Sequence, residues 1–368
     1  MKTRVALITI FDVANFGTYL QALATALSLK RLGAKVKIIH YERPFKNTKQ
    51  LRRNFILRNM YYLYFWLRGY NGSLFTLRCR RFVSKYVRIT KTYFSIEELK
   101  KDPPKADVYI TGSDQVWNTE HNRGIDEVFY LAFAPSVKKK AAFAASIGQD
   151  AIPNEYKERT RELLSQYDCI SVRENKAVEL LAEIGISAKQ MLDPTLMLNR
   201  EQWLKYASKR IVAEDYLLVY SVEPAEYDLI VSDVATKIAE VKKLKIVSVS
   251  NFGEDKRIPG CDEYFDFALP QVFLSLMAHA SYVVASSFHG TAFAINFNRQ
   301  FLTINPGAFS SRINSLLKLT GLENRRLSGM YDLSEDLLDQ EIDFIPINDI
   351  LVKNRNNCFD YISKCIVK

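Results

Sequence analysis

Short apolar runs alternate with longer amphipathic stretches along almost the whole chain. Residues 5–10, Val-Ala-Leu-Ile-Thr-Ile, are apolar nearly throughout, as a strand covered on both faces has to be. A polar loop over 12–17 follows, and 18–32 then places Leu20, Leu23, Ala24, Leu27 and Leu32 at helical spacing before Gly33 ends the helix. Residues 35–40 read as the next strand, so the chain opens as a βαβ unit. The pattern continues with strands at 107–110, 141–147 and 169–172 and a charged amphipathic helix over 155–167. After a crossing segment at 198–215 a second series begins, with strands at 216–220, 245–250, 282–285 and 301–304 and helices at 230–241, 270–279 and 292–297. Buried strands alternating with helices point to parallel α/β sheets, and 368 residues with 48% hydrophobic content can fill two cores. The expectation is an α/β protein of two Rossmann-like domains, 1–198 and 199–346, with a helical tail over 347–368 returning to the first domain.

Candidate chemistry gathers where these strands end, the edge at which α/β sheets take ligands. The run 282–285 delivers Ser286-Ser287-Phe288-His289-Gly290-Thr291 to a helix start, where unpaired amides favour a phosphate or carboxylate and His289 is expected on a solvent-facing loop. The local alternative is that Ser287 or Thr291 caps the helix and His289 packs against the turn. In the opening loop Asn15, Gly17 and Thr18 suit a sugar hydroxyl or a phosphate, or else a tight turn capped by Thr18; the G-x-G-x-x-G pattern of a dinucleotide site is missing. Residues 111–118, Thr-Gly-Ser-Asp-Gln-Val-Trp-Asn, set a glycine and short polar side chains after another strand, and Asp114 is the best acid/base candidate among them. Arg173 follows the strand at 169–172 and suits a bidentate clamp on an anion, against the plainer reading of a surface pair with Glu174.

Charge adds one local feature. Thirteen of the 51 Lys and Arg, and none of the 41 Asp and Glu, fall between Arg43 and Phe94, so the net charge of +10 comes from that stretch. Within it, the aromatic run 61–67 is flanked by Arg52, Arg53, Arg58 and Arg68, which fits a helix lying on a membrane or closing over a substrate, or an insertion packed on the first domain. A basic patch attracts any polyanion, and no familiar nucleic-acid motif accompanies it, so nucleic acid is not an expected partner. No run approaches the roughly 20 apolar residues that span a bilayer, and the opening apolar run is short for a signal peptide. The expectation is a cytoplasmic protein, peripheral on the membrane through 43–94. Five cysteines without a C-x-x-C pair argue against a zinc ribbon or a disulfide framework.

Taken in order, Asn15-Phe16-Gly17-Thr18 with Leu20-Gln21-Ala22, then 111–118, Ser171-Val172-Arg173-Glu174, Leu192-Asp193-Pro194-Thr195 and Ser287-Phe288-His289-Gly290 resemble the polysaccharide pyruvyl transferase family. The resemblance implies a GT-B-like architecture, two Rossmann-like domains facing across a cleft. It also implies that phosphoenolpyruvate gives a pyruvyl group to two hydroxyls of a sugar, forming a cyclic ketal and releasing phosphate. Read through that chemistry, His289 is the acid that protonates the enol methylene, and Asp114 or Asp12 is the base. Donor contacts fall to Arg173, Ser287, Gly290 and Thr291, and acceptor contacts to Asn15, Gly17, Thr18, Ser113, Gln115, Trp117 and Asn118. Family members commonly carry an arginine shortly before the His-Gly pair, where this chain has Ser287 and Phe288; Arg312 is the candidate replacement and Arg299 a weaker one. The chemistry calls for no cofactor and no metal. The expected partners are phosphoenolpyruvate and a glycan acceptor, one carried on a lipid diphosphate included. Two other classes stay open: a GT-B glycosyltransferase using a nucleotide sugar, and a non-catalytic protein of membranes or polyanions.

Overall fold

The computed structural model describes residues 2–11, 13–43, 72–222, 227–253, 257–304 and 311–367, which leaves Asp12 and most of the basic stretch, 44–71, outside the described residues. The chain divides into two compact units. The first comprises Met1–Ala14, Thr18–Met197 and Asn354–Lys368, and the second Asn15–Gly17 and Leu198–Lys353.

The first unit is built on seven parallel strands, β1 (Arg4–Ile8), β2 (Lys35–Tyr41), β3 (Arg88–Tyr93), β4 (Val108–Thr111), β5 (Lys139–Ala145), β6 (Cys169–Val172) and β7 (Lys189–Gln190), in the order β3-β2-β1-β4-β5-β6-β7. Val5 of β1 stands opposite Val36 on one side and Val108 on the other, so the apolar run at the start of the chain becomes the middle of the sheet. Burial on both faces explains why that run shows no polar alternation. Aromatic packing continues outward from it, with Trp117, Tyr109, Phe129, Phe133 and Tyr41 in one core.

The second unit repeats the plan with six parallel strands, β8 (Tyr216–Tyr220), β9 (Lys245–Val249), β10 (Glu263–Phe265), β11 (Tyr282–Ala285), β12 (Gln300–Ile304) and β13 (Arg326–Leu327), in the order β10-β9-β8-β11-β12-β13. Leu217, Val219, Val284, Leu302 and Ile304 meet Val231, Val234 and Ile238 of the helix Asp228–Lys242 in its core. Each sheet therefore reverses its winding once, between β1 and β4 in the first unit and between β8 and β11 in the second. Such switch points, at the carboxyl ends of the strands, are where open α/β sheets hold ligands.

The tail is a helix, Phe344–Ile362, ending in a π-helical turn over Ser363–Val367. Its last part completes the first unit. Tyr361 donates to the Ala142 carbonyl at 2.9 Å, Thr3 donates to that of Val367 at 2.7 Å, and the Arg31 guanidinium lies 4.7 Å from the centre of the Phe359 ring.

Candidate active site

In the second unit the switch point carries Ser286 to Thr291. The helix expected over 292–297 begins earlier, at Phe288, and runs to Asn296, so His289, Gly290 and Thr291 form its first turn rather than an exposed loop. Ser287 is its N-cap: the side chain accepts from the Gly290 amide at 2.8 Å. Ser286 accepts from the Val222 amide at 3.0 Å and shares a 2.9 Å hydroxyl contact with Ser221, tying the ends of β8 and β11 together. Thr291 is internal, bonded to the Ser287 carbonyl and to Thr303. His289 is only 6% exposed, which corrects the expectation of a solvent-facing histidine.

Two glycines explain the fit of this turn. A methyl group on Gly290 would stand 2.8 Å from the Ala285 Cβ and 3.0 Å from the Tyr220 ring, so only glycine lets the helix sit this close to the strands. At Gly17 a Cβ would lie 2.0 Å from Nδ1 of His289. Asn15, Phe16 and Gly17 cluster with the second unit, although sequence order joins them to the first. Phe16 stacks on Phe273 with ring centroids 4.7 Å apart and lies against Tyr220. Burial pushes the Tyr220 phenol well up from its ordinary pKa, an effect the Ser287 hydroxyl partly offsets. Gly17 thus bounds the His289 ring, which differs from the acceptor contact expected of it.

Arg312 is the second residue of the helix Ser311–Thr320 that follows β12, and that helix packs against Phe288–Asn296. Both helices start at the carboxyl edge, as in any parallel βα unit, so Arg312 belongs to the same edge as His289. Arg299 does not. It precedes β12, at the amino edge, and its guanidinium donates to the carbonyls of Phe297 and Ala280 at 2.9 and 3.0 Å.

In the first unit the loop after β4 meets Thr18, which belongs to the helix Phe16–Arg31, at the β1/β4 switch point. Thr18 donates to Oδ2 of Asp114 at 2.9 Å, and the Gln115 amide donates to Oδ1 at 2.9 Å. Asp114 adopts φ +70°, a conformation costly for a side chain with a Cβ and typical of functional loops. Asn118 fastens the loop, accepting from the amides of Glu120 and His121 and donating to Gln115 Oε1. Ser113 is buried and donates to the Ala144 carbonyl at 2.6 Å. Trp117 is a core residue, stacked on Tyr130 and donating its indole N–H to Phe129 at 3.3 Å. The expected acceptor set therefore divides. Thr18 and Gln115 hold Asp114, while Ser113, Trp117 and Asn118 shape the loop from within.

Arg173 is buried, neither a surface clamp nor a surface pair. Its guanidinium donates to Asp193 at 2.7 Å, with Glu174 at 3.8 Å and Asp114 at 3.9 Å. Burial opposes its charge, but Asp193, Asp114 and Glu174 outweigh that cost and hold its pKa above the ordinary value. Glu174 in turn accepts from Ser146 and from the amides of Ile147 and Gly148, each at 3.0 Å. Asp193 accepts from the Thr195 amide at 2.8 Å. Sequence spacing alone cannot show these carboxylates converging on one arginine, because they come from three separate strand ends. Among the described residues no group of three His, Cys, Asp or Glu is placed to hold a metal ion.

Two Rossmann-like sheets in one chain, each with polar residues at its switch point, define a two-domain α/β protein of the GT-B-like class. Solved structures of similar fold include the UDP-GlcNAc 2-epimerase from Methanocaldococcus jannaschii, at 12% identity and TM-score 0.51, with 99% of this chain and 94% of that one covered. Another is the UDP-GlcNAc 2-epimerase from Neisseria meningitidis bound to UDP-GlcNAc, at 12% identity and TM-score 0.50, with 99% of each chain covered. No curated protein matches the chain. The chain belongs to the polysaccharide pyruvyl transferase family, whose model matches residues 15–307. It is a transferase, and its family implies a polysaccharide acceptor.

Proposed function

We propose that the protein moves the pyruvyl group of phosphoenolpyruvate onto two hydroxyls of a polysaccharide or lipid-linked sugar, forming a cyclic ketal and releasing phosphate. The observation that carries this reading is His289 in the first turn of a serine-capped helix at the β8/β11 switch point, where an anion meets the positive end of a helix. Phosphoenolpyruvate presents two anionic groups, and Arg312 together with that helix start offers it a guanidinium and amides. His289 gives a proton to the enol methylene, which becomes the methyl group and leaves an oxocarbenium-like carbon. One sugar hydroxyl adds there, the phosphate departs, and the second hydroxyl closes the ring. Of the two hydroxyl protons, one replaces the proton His289 gave and the other leaves on phosphate.

We assign the acceptor to the carboxyl edge of the first unit, with Asp114 as its base; Asp12 lies outside the described residues. Arg173 serves there as a positioning residue, fixing Asp114 and Asp193 instead of meeting the donor. The test is release of phosphate from phosphoenolpyruvate that depends on an added glycan, with the ketal identified on the product by mass spectrometry. His289→Gln keeps a polar side chain of similar length and removes the proton donor, so turnover should fall by about 10²-fold or more. Glycan-dependent consumption of a nucleotide sugar in place of phosphoenolpyruvate overturns the reading, as does near-normal turnover in the folded variant.

A further inference from the structure

We propose that the outer face of the helix Gly72–Ser84 docks the protein on an anionic lipid surface. The helix is two-sided. Phe75, Cys79, Phe82 and Val83 are buried against the first unit, while Leu77, Arg78, Arg81, Ser84 and the adjoining Lys85 are exposed. At 100° per residue, Leu77, Arg81, Lys85 and Arg78 fall within one arc of about 100°, with half-buried Leu74 between them. The remaining arginine, Arg80, turns inward to His40 and Glu42. Its outward neighbours are different. None of the ion pairs among the described residues includes Arg78, Arg81 or Lys85, and the sequence holds no Asp or Glu between Arg43 and Phe94. The outer face thus carries three cations with no local counter-charge, and folding leaves them displayed.

Shape and composition choose the occupant. One helix presents a convex row, which cannot surround a small anion but can lie along an extended one. Leu77 is 51% exposed at the edge of the cationic arc, and a bilayer rewards an apolar side chain beside basic ones, whereas a nucleic-acid backbone does not. Each Lys or Arg near an anionic leaflet strengthens binding about fivefold, an attraction that salt screens over about 8 Å.

The test is co-sedimentation of the whole protein with vesicles of phosphatidylcholine alone or mixed with phosphatidylglycerol, at low and high salt. Binding should require phosphatidylglycerol and weaken as salt rises. The triple variant Arg78→Glu, Arg81→Glu, Lys85→Glu should reduce it by roughly a hundredfold, and Leu77→Gln should weaken it at either salt. Reversal of two exposed lysines of the second unit, Lys205→Glu with Lys209→Glu, should leave it unchanged. All these positions are exposed, and circular dichroism with melting temperature verifies that the variants fold. Absence of binding to anionic vesicles, binding indifferent to salt, or an undiminished triple variant overturns the proposal. Tighter, Leu77-independent binding to duplex DNA through the same residues also overturns it, in favour of a nucleic-acid face.

Discussion

At Gly17 an added methyl group would meet the His289 ring at 2.0 Å, against a neighbour that is itself only 6% exposed. Gly17→Ala should therefore push the imidazole off its position, costing about 1–3 kcal/mol of stability by overpacking and much more in turnover than in melting temperature. A variant with full turnover would show that ring placement does not matter. Arg173 makes the opposite case, since it stabilises by being present. Arg173→Met leaves Asp193 and Glu174 buried without their cation, a loss of about 3–5 kcal/mol that denaturant unfolding can measure. The place of Ser287 and His289 between a strand end and a helix start was legible in the sequence, because an apolar run followed by a small polar turn fixes it. The burial of Arg173 and the packing of Gly17 on His289 were not, since both depend on residues far apart in sequence.

The capped helix Phe288–Asn296 shows what one element contributes. Ser287→Ala removes the acceptor for the Gly290 amide, and loss of such a cap costs about 1 kcal/mol. The same change loosens the turn that holds His289, so donor affinity should fall while acceptor affinity holds; titrations of each substrate against the variant decide it. Most elements could be read from pattern, and the central strands lay within a few residues of their expected places. The misses share a cause. β3, Arg-Ile-Thr-Lys-Thr-Tyr, is an edge strand with charged residues, and β10 and β13 have three and two residues, too few for any periodicity. Helix starts slipped for another reason: Phe288-His289-Gly290 reads as a turn because glycine and a polar neighbour usually mark one, and here packing on Tyr220 and Ala285 requires that glycine inside the helix.

At the scale of the molecule, the parallel α/β architecture was legible from the alternation of apolar runs, while the joining of residues 354–367 to the first unit rests on contacts that no periodicity shows. That seam should give way in alkali. Burial pushes the thiols of Cys358 and Cys169 up to about 12, above the roughly 8.5 of a free thiol. With the folded value higher, the unfolded chain gives up these protons first as pH rises. The contribution is complete below about pH 8.5 and lost progressively toward 12. Urea midpoints should thus fall between about pH 8 and about pH 10, less steeply in Cys358→Ala; identical slopes would rule the thiol out. The same seam has a meaning for biosynthesis. Residues 354–367 join a unit whose strands all precede them by more than 150 positions in the chain. A ribosome therefore releases the seven-stranded sheet without its closing segment and finishes the second unit before the first can be sealed, so the order in which the halves mature is the reverse of the order in which they are begun.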